Sequence, residues 1–164
     1  MTKSQARCLI LACGNTMRGD DGVGLWLAEW AERRFSGQDD VRVVARQQWT
    51  PELAEDVARA HSVLFIDCSV ISEPGSVNLT PVEPAAGVQG LAAHHQGAAE
   101  LLALSRDLYA SLPQDAQLLT IGAGSTELGE VFSAAVTGAL PDACRLIEAT
   151  VSRQLGNNGR SGGV

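Results

Sequence analysis

A chain of 164 residues with 45% hydrophobic and 19% charged residues is long enough for one domain around one core, and its mix is globular, not disordered. A net charge of −7 leaves no electrostatic footprint for nucleic acid or for an anionic membrane surface. Four cysteines (Cys8, Cys13, Cys68, Cys144) without a C-x-x-C pair read as free, mostly buried thiols in a reducing cytoplasm. The sequence also contains no apolar run long enough to span a membrane and leaves no room for a signal peptide before its first apolar run.

Arg7 to Ala12 is an apolar run ending in Cys13-Gly14-Asn15, which predicts a buried strand and a turn. Beyond the turn, Val23, Trp26, Leu27, Trp30 and Ala31 recur at helical spacing. Asp20 and Asp21 stand at the start of that helix and Arg33 and Arg34 at its end, matching its dipole. Val41 to Ala45 predicts a second strand. Thr50-Pro51 then reads as an N-cap followed by proline at the first helical position, opening a short helix that buries Leu53 and Val57. Ser62 to Cys68 is apolar until it meets Asp67, the mark of a strand covered on both faces of a mostly parallel sheet. Ser76 to Val82, entered through Pro74-Gly75, predicts an edge strand, and Pro84 to Ala93 a loop. Ala98 to Tyr109 predicts a helix with Leu101, Leu104 and Leu108 on one side. Gln117 to Ile121 predicts a strand ending in Gly122-Ala123-Gly124. Pro141 is expected to begin a last helix on which Cys144, Ile147, Val151 and Leu155 share a face.

Strands alternating with helices predict an α/β fold: a single three-layer domain, residues 1–155, with a mostly parallel twisted sheet of about five strands and helices on both faces. Residues 156–164 are Gly-rich and read as a flexible C-terminal tail. Right-handed crossovers gather the strand C-termini along one edge, which selects the loops after Ala12, Ile66 and Ile121 as site-bearing.

The densest motif runs from Gly14 to Gly24, where Gly14, Gly19, Gly22 and Gly24 surround the adjacent carboxylates Asp20 and Asp21. Acids at a helix start serve the helix in any case. They would also repel a phosphate, and neither a Gly-Lys-Ser/Thr nor a G-x-G-x-x-G order follows, so a nucleotide- or phosphate-binding domain is disfavoured. Asp67 closes an apolar strand and needs a partner if buried, either a backbone cap or a cation. His94 and His95 stand together before a helix, while His61 reads as a surface residue. Two carboxylates and one of these imidazoles make a set open to nickel, zinc or iron. Neither G-x-S-x-G nor H-E-x-x-H occurs, and the carboxylate beside Cys68 raises its thiol pKa, so no nucleophile competes.

Taken in order, Leu11 to Gly24 (Leu-Ala-Cys-Gly-Asn-Thr-Met-Arg-Gly-Asp-Asp-Gly-Val-Gly), Phe65-Ile66-Asp67 with Pro74-Gly75 soon after, and His94 ahead of Leu101-Leu102-Ala103-Leu104 resemble the NiFe hydrogenase maturation protease family. The likeness runs from about Arg7 to Glu130. The resemblance implies an endopeptidase, aspartyl-type or metal-assisted, that removes the C-terminal extension of a hydrogenase large-subunit precursor after nickel insertion. It assigns the metal contacts to Asp21, Asp67 and His94, with Asp20 and Asn15 shaping the loop and His95 the neighbour not chosen. Nickel is then expected to arrive with the substrate, and the protein to act as a cytoplasmic monomer. Cys68 departs from the family, which more often has a small residue there; strand alternation points it away from Asp67 and into packing. Other readings are a related α/β peptidase with another protein substrate and a non-catalytic nickel- or precursor-binding maturation partner. Trp49 is the aromatic candidate for an exposed substrate contact, with core packing as its alternative.

Overall fold

The computed structural model describes residues 6–86 and 97–156. The His94-His95 pair lies outside these residues, as does the tail beyond Gly156.

Strand β1 (Cys8–Cys13) is buried along its whole length because it lies between two parallel neighbours, β2 (Val41–Arg46) and β3 (Ser62–Ser69). β3 pairs in parallel with β5 (Asp115–Gly122), and β4 (Val77–Pro81) closes the far edge antiparallel to β5. The order is therefore β2-β1-β3-β5-β4. Pro81 is tolerated on the edge strand, where one side of the backbone needs no ladder partner.

Strand alternation divides the core into two layers. Cys8, Ile10, Ala12, Leu64, Ile66, Leu119 and Ile121 pack against α1 (Val23–Arg34) and α4 (Ala134–Gly156). Leu9, Leu11, Cys13, Val63 and Phe65 face the opposite layer, α2 (Ala54–Arg59) and α3 (Ala98–Tyr109). The predicted three-layer α/β architecture with a five-stranded, mostly parallel sheet is thus the one observed. Among the described residues no helix is long and apolar enough to cross a membrane.

Local details differ from the sequence reading. The last helix begins at Ala134, with Pro141 in its interior. Ser133 caps it: its carbonyl accepts from Thr137 N at 3.0 Å and its hydroxyl from Val136 N at 3.3 Å. Val136 and Ala139 are buried on the stripe that continues through Ala143, Ile147 and Val151, and that burial outweighs the hydrogen bond Pro141 cannot make. Burial of α3 stops at Ser105, so Leu108, on the same side as Leu101 and Leu104, is 63% exposed. Thr50 makes no side-chain N-cap bond. Its side chain bonds to that of Glu52 instead, and the chain enters α2 through a 3-10 turn at Pro51–Leu53. Trp49 is core: its ring stands edge-on to Phe65 with centroids 5.2 Å apart.

Candidate active site

The loops after β1 and β3 meet at the carboxyl edge of the sheet and enclose a cleft of about 620 Å³. Cys13, Asn15, Arg18, Asp21, Asp67 and Cys68 line it, and Gln47, Trp49 and Glu100 complete the wall.

Two glycines allow the first loop to fold this tightly. A Cβ on Gly14 would overlap the Asp21 carbonyl oxygen, and one on Gly24 would overlap the carbonyl oxygen of Cys13. Only without those carbons can the first turn of α1 settle on the end of β1. Between them the chain makes a 3-10 turn, Gly19–Gly22, that points its two acids in different directions.

Asp20 turns inward and is fully buried. Its carboxylate accepts from Gly124 N (2.7 Å), Ser125 N (2.9 Å), Ser133 N (2.7 Å) and the Ser133 hydroxyl (2.7 Å), tying the β1 loop to the loop after β5. Burial alone would raise its pKa, but these donors together outweigh it and hold the carboxyl below the usual range. Asp20 therefore shapes the loop, as the resemblance implied.

Asp21 is half-buried and faces the cleft, its Oδ2 accepting from Asn15 N at 3.0 Å. Asn15 in turn accepts from Met17 N at 2.9 Å, so it too serves the turn. Asp67 reaches the same cleft from the end of β3, with Oδ1 accepting from Cys68 N at 2.7 Å. Burial pushes the Asp67 carboxyl up, and the nearby Asp21 charge adds to this, against hydrogen bonds from Cys13 and Cys68 N. The structure thus brings Asp21 and Asp67 together, whereas His94 lies outside the described residues.

Cys13 had no role in the sequence reading beyond a buried thiol. Because Ala12 pairs with Ile66, the next residues, Cys13 and Asp67, come to lie on one face, and the Cys13 thiol bonds to the Asp67 carboxylate. Strand parity carried that signal: Leu9, Leu11 and Cys13 alternate in step with Val63, Phe65 and Asp67. Burial, then Asp67, drive the Cys13 pKa far up. Cys68 packs with the α1/α4 layer, as alternation predicted, and burial followed by the Asp21 and Asp67 charges pushes its thiol up to about 12. Neither sulfur is a ready nucleophile.

Two hard oxygen donors in one cleft suit a divalent cation that brings further ligands with it. Among the described residues no group of three or more metal-ligating side chains forms a complete site. Arg18 was not singled out from sequence. Its backbone is pinned by Arg18 N to Asn15 O (3.1 Å) and by a bridge to Gly129.

No family model matches the chain, and no curated protein matches it. Solved structures do. The hydrogenase maturating endopeptidase HybD from E. coli superposes with a TM-score of 0.73 at 21% identity, covering 90% of this chain and 93% of its own. A hydrogenase 2 maturation peptidase from a Thaumarchaeota archaeon gives 0.64 at 24% identity, covering 89% and 98%. The NiFe hydrogenase maturation protease HycI from Thermococcus kodakarensis gives 0.63 at 23%, covering 91% and 92%. The chain therefore has the fold of the hydrogenase maturation endopeptidases over nearly its whole length, the family its motifs resemble.

Proposed function

We propose that this protein is an endopeptidase that removes the C-terminal extension of a NiFe hydrogenase large-subunit precursor, recognising nickel already held by that substrate. The observation that carries this reading is the convergence of Asp21 and Asp67 on one cleft while the adjacent Asp20 is wholly consumed by backbone and hydroxyl donors. A turn that only needed acids for its helix would not aim one of them at a second carboxylate. The fold shared with named maturation proteases supports the same reading.

Asp21 and Asp67 offer oxygen ligands to the substrate's nickel, and the resemblance supplies His94 as the third contact. An open site with few ligands suits a metal that is inspected and released. Nickel held by the substrate would polarise a water or the scissile carbonyl, and a cleft carboxylate would take the water's proton and pass it to the leaving amine nitrogen. Asp67 suits the part of base because burial raises its proton affinity.

Mass spectrometry of a nickel-loaded precursor incubated with the protein should show loss of a short C-terminal segment, and no loss when nickel is withheld. The double variant Asp21→Asn, Asp67→Asn should slow cleavage at least about 100-fold, the usual scale for removing a metal contact or a general base. Normal processing by that variant would refute the site. Persistent binding without shortening would make the protein a non-catalytic maturation partner.

A further inference from the structure

Most exposed large hydrophobic side chains among the described residues lie on loops at the carboxyl edge of the sheet, the edge where the cleft opens. Among the described residues Met17 is 55% exposed, Val70 72%, Ile71 95%, Leu128 81% and Val131 85%. They sit on the loops that follow β1, β3 and β5 at the carboxyl edge of the sheet. The others, Leu108, Tyr109 and Leu112 at 63%, 46% and 38%, lie at and just beyond the end of α3.

The three loops are fastened together. Gly129 N donates to Met17 O at 2.9 Å, and Gly19 N to Gly129 O at 2.7 Å. Asp20 binds the same two loops through its buried carboxylate. Ala123 N donates to Ser69 O at 2.8 Å, joining the loop after β5 to the one that carries Val70 and Ile71. Apolar side chains held in water on a braced frame are the signature of a recognition surface rather than of a loose loop.

The size of the cleft limits what can enter it, and the proposed function supplies the occupant. About 620 Å³ is the volume of a small-molecule pocket and takes only a short stretch of extended chain. A folded protein whose tail enters it must rest its body on the surrounding loops. We propose that Met17, Val70, Ile71, Leu128 and Val131 form a docking rim for an apolar face on the folded body of the substrate precursor, beside the tail that is cut. This inference rests on the proposed function but assigns substrate affinity to residues outside the cleft chemistry.

The test is calorimetric binding of the nickel-free precursor, which the proposed activity leaves intact. Leu128→Ser with Val131→Ser, and separately Ile71→Ser, should weaken Kd about tenfold or more, since each removes a side chain whose burial drives association. Leu108→Ser with Leu112→Ser should bind like the unaltered protein. All of these positions are exposed, and melting curves should match the unaltered protein. An unchanged Kd in the rim variants would overturn the inference, as would equal weakening in the control pair or no binding by the unaltered protein. Concentration-dependent dimers abolished by the rim variants would overturn it too, assigning the surface to a second copy of this chain. Failure of the nickel-loaded precursor to be shortened would instead refute the proposed function, leaving the binding comparison to stand on its own.

Discussion

Replacing Asp20 by alanine should destabilise the protein far more than the same change at Asp21 beside it. The Asp20 carboxylate satisfies three backbone amides and one hydroxyl, all at 2.7–2.9 Å and with no exposure of its own. Removing it leaves those donors without an acceptor at roughly 1–3 kcal/mol each, of which water entering at the loop recovers part. A net loss of roughly 4 kcal/mol is a large share of the ~5–15 kcal/mol that holds a domain together. At ~2–4 °C per kcal/mol for a domain of this size, Tm should fall by on the order of 10 °C. Asp20→Asn should fall between, because one oxygen becomes a donor facing donors. Asp21→Ala loses only the 3.0 Å bond from Asn15 N at a half-exposed position, about 1 kcal/mol. Thermal melting followed by far-ultraviolet circular dichroism measures all three. An Asp20→Ala variant melting within about 3 °C of the unaltered protein, or an equal drop for Asp21→Ala, would refute the division of labour between the two acids.

Two further variants probe the frame. Burial raises the Asp115 carboxyl, but Gln154, Gln117 and the Arg153 charge outweigh it and hold the group below its ordinary pKa. A depressed carboxylate contributes stability that is complete above its unfolded pKa of about 3.9 and is lost as pH falls through the folded value. The Tm difference between the unaltered protein and Asp115→Asn should therefore be constant near neutrality and shrink below about pH 4; growth of that difference in acid would contradict the assignment. Gly24→Ala should cost about 1–3 kcal/mol because the new carbon meets the Cys13 carbonyl, whereas Gly138→Ala in α4, with open space at its Cβ, should gain about 0.5–1 kcal/mol. Urea unfolding of the pair checks both signs.

The elements legible from sequence were those whose signal is local. β1 and β3 show as unbroken apolar runs because both faces of a central strand are covered, and α3 was bounded correctly because its period and flanking breaks lie within it. Asp67 stood out for the same reason, as a charge ending an apolar run. The misreadings came where distant packing overrode a local preference. Pro141 resembles a helix start until the buried stripe at Val136 and Ala139 extends the helix past it. Leu108 keeps helical spacing, yet the core ends before it. Trp49, open in the sequence between an exposed contact and core packing, is placed in the core by its contact with Phe65.

By itself, then, the amino-acid order determined the α/β class, the parallel sheet, the loops where chemistry gathers and the acids within them, because periodicity and turn residues act over a few positions. The family resemblance assigned Asp21 to the cleft, but the physical reason for that choice lies only in the tertiary structure. Asp20 and Asp21 are neighbours with identical side chains, and what separates them is a set of donors at Gly124, Ser125 and Ser133, more than a hundred positions away. The pairing of Cys13 with Asp67 and the placing of Met17, Ile71, Leu128 and Val131 on loops at one edge of the sheet have the same origin. Each depends on strand order and register, which bring together residues that no local pattern connects.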